Sequence, residues 1–358
     1  MSLALKQITF AIALGLTAHS THAAAVTEQR TVAAFRAIEL SGPYRVLIKA
    51  QGRQALELAG ESEELAKVET FVRGDTLVVR PVPTKGFHFG ITRRRDVTIH
   101  ITAAMLASLT TGGSGDVDIE QVGGEQFSVS ATGPGDLRAS GGVRDLTVAS
   151  RGSGAVDLHQ LSATNVRLAM SGPGDVSLAR IGGELAADMS GSGDLDAKGL
   201  QAASARIAMT GPGAAKLAGT VGTLNAGLSG SGELDAHRLN VRNATVRSRG
   251  PGSVQLATVA DTLDADLRGS GEMSATLAGK RLLLKMSGPG DARFDGSVDA
   301  VTAQLTGSGS LDGHALTAAR ADVVVRGPGS AVVGVQSKGA DRARLLTFER
   351  GATHVAAE

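Results

Sequence analysis

Acidic side chains set directly behind glycine are the most chemically suggestive residues in this chain, as in the stretch SGSGDLDA at 190–197. Glycine-rich turns bearing Asp can present oxygen ligands to a hard cation, as in calcium-binding β-roll repeats. Such repeats need a nine-residue period and a second Gly pair. Here the period is about twice as long, and the first acid becomes Ala155, Ala214, Ser253, Ser310 or Ser330 in other copies. His159, His237 and His314 recur at equivalent corner positions and suggest a ladder of ligands, but a metal needs its nitrogens about 2.0–2.1 Å from one ion. They read better as exposed turn residues. Glycan hydrolysis or lysis needs clustered carboxylates, or a carboxylate with a base, in one groove. The acids are instead spread along the chain, no irregular insertion between Gly113 and Gly329 could build a cleft loop, and aromatic platforms for sugar rings are nearly absent at 3%. Arg93, Arg94 and Arg95 form a short basic run that reads as a solvated face. With 48 glycines, GxGxxG-like matches arise by chance and carry no nucleotide-binding weight. No catalytic, cofactor-binding or metal-binding residue is assigned, and no cofactor is expected.

The elements that position these residues come from a repeat. Gly-Ser-Gly or Gly-Pro-Gly begins at Gly113, Gly133, Gly152, Gly172, Gly191, Gly211, Gly230, Gly250, Gly269, Gly288, Gly307 and Gly327, in steps of 19 or 20 residues. The central residue alternates strictly from Ser114 and Pro134 to Pro328. Two residues after each triplet an apolar residue recurs, such as Val117, Leu137, Leu195 or Leu311, and pairs such as Met170/Leu168 precede it. The residues between are Asp, Arg, Ser, Thr or Lys. This is period 2, so each unit is expected to carry two short strands with one buried face. Strands this short bury that face only by stacking on their neighbours. The predicted fold is an all-β, single-stranded parallel β-helix with rungs of 19–20 residues about 4.8 Å apart. The Gly triplet sits at a corner, where glycine permits positive φ and close backbone approach.

Register follows from electrostatics. The third residue after each triplet is Asp118, Asp157, Asp196, Asp235, Ser274 or Asp312 in the Ser copies, and Arg138, Ser177, Lys216, Gln255, Arg293 or Val332 in the Pro copies. A 39-residue rung would stack Asp on Asp, a repulsive column that requires a cation. A 19–20-residue rung places Asp196 between Ser177 and Lys216, and no metal is needed.

Composition bounds the rest. At 42% apolar with no Trp, the core must be built from small aliphatic side chains. A net charge of +1 gives no bulk attraction to nucleic acid, and the absence of Cys removes disulfides and thiolate sites. Residues 1–23 read as a signal peptide, with Lys6 ahead of an apolar run from Ile8 to Ala18, too short to span a bilayer, and a small-x-small site at Thr21 and Ala23. Residues 24–30 are then a short linker, 31–112 an irregular N-terminal β cap with irregular first rungs, 113–335 the regular repeats, and 336–358 a C-terminal cap or tail.

FRAIELSGPYRVLIKAQ, then LELAGESEELAKVETFVRGDTLVVRP, then VTIHITAAMLASLTTGGSGDVDI followed by repeated SGSGDLDA units, resembles the auto-transporter adhesin, head GIN domain family of exported bacterial proteins. The resemblance covers about residues 31–335 and implies a right-handed β-helix with no assigned catalytic residues. The expected function is that of a non-enzymatic exported rod with an adhesin-like binding or structural role at the cell envelope, in the periplasm, at the cell surface or secreted. Its partner would be an unknown envelope protein or glycan, with no nucleic acid and no membrane span. The alternative is a carbohydrate-active β-helix, lyase or hydrolase. The second alternative is a calcium-binding repeat protein.

Overall fold

The computed structural model describes residues 26–83, 97–336 and 343–349. Strands make up 72% of it and helix 1%, and they wind into a β-solenoid of about 11 turns rather than closing into a barrel. The regular rungs are single long strands, such as Leu195–Met209, Ala214–Leu228 or Glu233–Arg249, paired in parallel with the rungs on either side, except for one split at Arg180 into Val176–Ala179 and Ile181–Met189. Within such a strand the inward alternation breaks twice. Leu195 and Ala197 point in, then Leu200 and Ala202, then Ala205, Ile207 and Met209. The register slips between Ala197 and Leu200, where the chain bends. Each rung therefore has three inward runs where the period-2 pattern predicts two strands, because the middle run is too short to stand out as a strand of its own. Leu195, Leu200, Leu224 and Leu234 are buried along the axis, and a fully buried Leu contributes about 1.5–3 kcal/mol.

The register is that of the shorter rung. Asp196 pairs with Ser177 on one side and Lys216 on the other. The same column runs Asp118, Arg138, Asp157, Ser177, and further on Lys216, Asp235, Gln255, Ser274, Arg293, Asp312.

The corners show why the triplet is Gly-X-Gly. A Cβ on Gly191 would overlap the Gly172 carbonyl and lie 2.8 Å from the Ser171 carbonyl carbon. The same crowding recurs at the third glycine, where Gly193 faces the backbone of Gly174. The middle Ser or Pro is exposed in every copy. Positive φ is not the general reason: the opening glycine takes it only from Gly250 onward (Gly250, Gly269, Gly288, Gly307 and Gly327), where the preceding strand runs up to the residue adjoining the glycine. Close rung-to-rung approach is the requirement common to all copies.

The first strands are β1 (Val26–Gln29), β2 (Ala37–Leu40), β3 (Arg45–Lys49) and β4 (Ala55–Gly60). A short helix α1 (Ser62–Leu65) leads to β5 (Val68–Arg73) and β6 (Thr76–Pro81), followed by β7 (Thr98–Thr102), β8 (Ser108–Thr111) and β9 (Val117–Ala131). β2 and β3 form a rung directly beneath β8 and the start of β9, although the chain between them makes an excursion through β4 to β7. Gly42-Pro43 is its corner: Ser114 N–H donates to the Gly42 carbonyl at 3.1 Å, and Pro43 continues the Ser/Pro alternation below Ser114. β6 and β7 stack in parallel beneath that rung, and β5, β4 and β1 close the end with antiparallel pairings. At the other end Arg344–Phe348 pairs antiparallel with Ala331–Val335, and Phe348 is buried there. Antiparallel end strands break the parallel template on which another solenoid edge could add.

Candidate binding face

The stretch after each triplet, which carries the Asp196 column, forms one face of the rod. Three shallow surface grooves lie on it. The largest, about 540 Å³, spans four rungs and is lined by Gln255, Glu272, Ser274, Asp291, Arg293 and Asp312. A second of about 360 Å³ lies between Asp196, Lys198, Lys216 and His237, and a third of about 340 Å³ between Asp118, Glu120, Arg138 and His159. All three are open rather than enclosed and mix charged side chains with apolar ones, such as Met273 in the first and Leu217 in the second.

The three histidines occupy this face, within the strands rather than in turns, because the strand continues through the bend that follows it. Each is exposed and sits two residues beyond an Asp, on which its Nδ1 rests: His159 on Asp157, His237 on Asp235, and His314 on Asp312 at 2.7 Å. Four rungs separate His159 from His237, roughly 19 Å at the strand spacing, so no two can share an ion. Arg293 Nε also donates to Asp312 at 3.0 Å. The side-chain hydrogen bond from His314 is the main reason that the Asp312 carboxyl is held down at about 2. At Asp157 and Asp235 partial burial pushes the carboxyl up, but the hydrogen bonds from His159 and His237 more than offset it, and both lie below the ordinary value.

The acid immediately after the triplet does different work, which the sequence reading missed. Asp116 accepts the Asp136 N–H at 3.2 Å, Asp136 that of Ala155 at 2.9 Å, Asp175 that of Asp194 at 2.8 Å, and Asp194 that of Ala214 at 2.9 Å. Asp291 repeats the contact on Ser310 at 3.2 Å. These acids bind the corners of successive rungs together, so the Asp of GSGD is a structural acceptor. In this column like charges do stack, Asp175 beside Asp194, and the amide that each carboxylate accepts offsets the repulsion. The strand ladder leaves those amides unpaired at the bend, a signal that could have been drawn from the sequence once the corner was placed. Among the described residues no group of three or more His, Asp or Glu is placed to hold a metal ion. The Arg93–Arg95 run and the signal-peptide segment lie outside the described residues.

Fold and face together define a capped parallel β-solenoid with one grooved, charge-patterned side. A family model described as "Putative auto-transporter adhesin, head GIN domain" matches residues 34–180, 179–275 and 258–340, and the chain belongs to that family. No curated protein matches the chain. Among solved structures, a putative adhesin from Parabacteroides distasonis is 14% identical with a TM-score of 0.41, covering 80% of this chain and 96% of that one. A putative adhesin from Parabacteroides merdae is 17% identical with a TM-score of 0.40, covering 80% and 94%. A structure titled putative lipid binding protein, from Parabacteroides distasonis, is 17% identical with a TM-score of 0.36, covering 86% and 95%. No described helix is long and apolar enough to cross a membrane.

Proposed function

We propose that this chain is exported by cleavage after Ala23 and acts as a non-enzymatic, adhesin-like rod at the cell envelope, binding an envelope protein or glycan through its grooved face. Membership of the adhesin head family supports the adhesin-like role. The observation that carries the choice of face is the recurrence of three open grooves lined by charged side chains along one side of the repeats, while a further groove of about 510 Å³ lies apart at the N-terminal end, between Arg30 and Arg53. Open polar surfaces that span several rungs suit an extended partner better than a small substrate that must be enclosed. Several of the acids on this face are already engaged. Asp175 and Asp194, one rung apart, each accept a backbone amide, and Asp312 is held by His314 and Arg293.

The test combines binding and turnover. Labelled protein is titrated onto envelope preparations, and onto purified envelope polysaccharides assayed for release of reducing or unsaturated ends. The expected result is saturable binding without bond cleavage, weakened when Arg293→Glu and Lys216→Glu reverse the groove charges. Chain cleavage, or binding indifferent to those changes, contradicts the proposal. An N-terminus at Ala24 in exported material supports the cleavage, and retention of Met1 contradicts it.

A further inference from the structure

The second groove differs from the other two on its face in charge. The largest sets the single base Arg293 against Glu272, Asp291 and Asp312, and the third sets Arg45 and Arg138 against Asp118, Glu120 and Asp157. The second instead gathers Lys198, Lys216 and Arg238 against Asp196 and Asp235. With its histidine neutral, it is the one groove of these three that carries an excess of positive charge.

The register explains the gathering. Lys216 stands in one column between Asp196 and Asp235. Ala218, two residues on, pairs with Arg238, and on the rung at its other side Lys198 lies in the slip between Ala197 and Leu200. Two long cationic side chains, on rungs about 9.6 Å apart at the strand spacing, therefore flank the short side chain of Ala218, which supplies an apolar floor with Leu217. Both acids are engaged within the groove. Lys198 Nζ donates to Asp196 at 2.6 Å, and His237 donates to Asp235 from its backbone N–H at 3.2 Å and from Nδ1. Asp235 also lies in the field of Arg238. With Nδ1 as the donor, His237 Nε2 is an acceptor, and Arg238 Nε donates to it at 3.1 Å. The two terminal nitrogens of Arg238 then have no hydrogen-bond partner among the described residues, and Lys216 has neither a hydrogen bond nor an ion pair there.

A guanidinium with both terminal nitrogens free is a fork for the two oxygens of a carboxylate, and an ammonium adds a point charge beside it. Three bases against two acids leave one positive charge uncompensated, which matches a monoanion. The volume of about 360 Å³ is at the small end of the roughly 300–1,000 Å³ range of ligand pockets, so it suits one unit of a chain. Along the rod the grooves to either side carry an excess of acid, so a chain charged at every unit would be repelled where it left the site. We infer that the second groove holds a single carboxylate-bearing sugar unit of an otherwise neutral envelope glycan, with the carboxylate on Arg238 and Lys216 and the ring over Ala218. This rests on the proposed binding role of the grooved face and narrows its partner to an acidic glycan.

The experiment is calorimetric titration of the exported protein with a short neutral oligosaccharide bearing one glucuronate, with its methyl ester and a counterpart bearing a sulfate in place of the carboxylate run beside it. The expected result is saturable binding of the glucuronate compound that weakens as salt is raised, with no binding of the ester and weaker binding of the sulfate. Lys216→Ala and Arg238→Gln each weaken it roughly tenfold or more, and Arg238→Lys, which keeps the charge and loses the fork, weakens it too. Arg138→Gln and Arg293→Gln, in the other two grooves, leave it unchanged, and far-UV circular dichroism confirms that every variant is folded. Equal binding of the ester or the sulfate, or glucuronate binding indifferent to Lys216→Ala and Arg238→Gln, overturns the inference. Binding to envelope preparations is measured in parallel. If it persists while the glucuronate compound is not bound, the inference is overturned and the role of the face stands; if the compound is bound and the preparations are not, the inference stands and the envelope role is contradicted.

Discussion

Replacing Gly191 by Ala puts a methyl group where the corner of the rung below already lies. Its carbon would sit 2.8 Å from the Ser171 carbonyl carbon, whereas non-bonded carbons settle at about 3.5–4.0 Å. The two corners must part by at least roughly 0.7 Å to reach the near end of that range, because the overlap with the Gly172 carbonyl is closer still. Two hydrogen bonds cross this gap, Ser190 N–H to the Met170 carbonyl at 2.8 Å and Gly193 N–H to the Gly172 carbonyl at 3.3 Å. Stretched by that amount, the Ser190 bond leaves the normal range of about 2.7–3.2 Å for N–H···O bonds, and the Gly193 bond, already just beyond that range, is lost. Overpacking of about 1–3 kcal/mol plus about 0.5–1.5 kcal/mol for each weakened bond places the loss on the order of 3 kcal/mol. Gly227→Ala is the control, since a Cβ there meets nothing within 4 Å and φ is not positive. Ala in place of a strand Gly gains about 0.5–1 kcal/mol. Urea unfolding followed by circular dichroism separates the two. Gly191→Ala lowers the midpoint and, because rungs are coupled mainly to their neighbours, can split the transition, whereas Gly227→Ala leaves it unchanged or slightly raised. Equal effects at the two positions would refute the close-approach explanation of the triplet.

Asp194→Ala removes the acceptor of the Ala214 amide and lowers stability by about 1 kcal/mol in the same assay; no change would mean that the corner acids bind nothing. Asp312 is held at about 2 in the folded chain, against about 3.9 for an unperturbed Asp, so its share of stability is present above about pH 4 and is lost as pH falls toward 2. Asp312→Asn therefore flattens the acid limb of the pH–stability curve, and an unchanged limb contradicts the contact. Added calcium leaves the thermal midpoint in place, because the stacked corner acids already accept amides; a steep rise contradicts that assignment.

Much of the fold was legible in the sequence because a solenoid writes its geometry at short range. The triplet period sets the rung, the alternation around Leu195 sets the inward side, and the sign changes from Asp157 through Asp196 to Lys216 set the register. What escaped depends on contacts between rungs or on interruptions of the repeat. The Asp194 carboxylate looks like a solvated charge until the Ala214 amide is placed over it. The first rung, with Gly42-Pro43 at its corner, was hidden because the excursion through β4 to β7 separates it from the rung it stacks on. The middle inward run, Leu200 and Ala202, offers too few alternations to register as a strand. The grooved face was invisible for a different reason: which outward residues share a side cannot be seen until the three runs of each rung have been assigned to their sides.

The most direct test of the single-rung register uses the absence of native Cys. Ser177→Cys with Asp196→Cys places two thiols on adjacent paired strands, about 4.8 Å apart, within the usual Cα range of about 4.4–6.8 Å for a disulfide. Asp157→Cys with Asp196→Cys places them two rungs apart, about 9.6 Å, beyond the roughly 7 Å limit. Mild oxidation and mass spectrometry under non-reducing conditions read the outcome. Rapid intramolecular closure of the 177/196 pair, with the 157/196 pair left as free thiols, is the predicted result. Closure of the 157/196 pair in preference to 177/196 would contradict the register, and with it the assignment of every outward column on the rod.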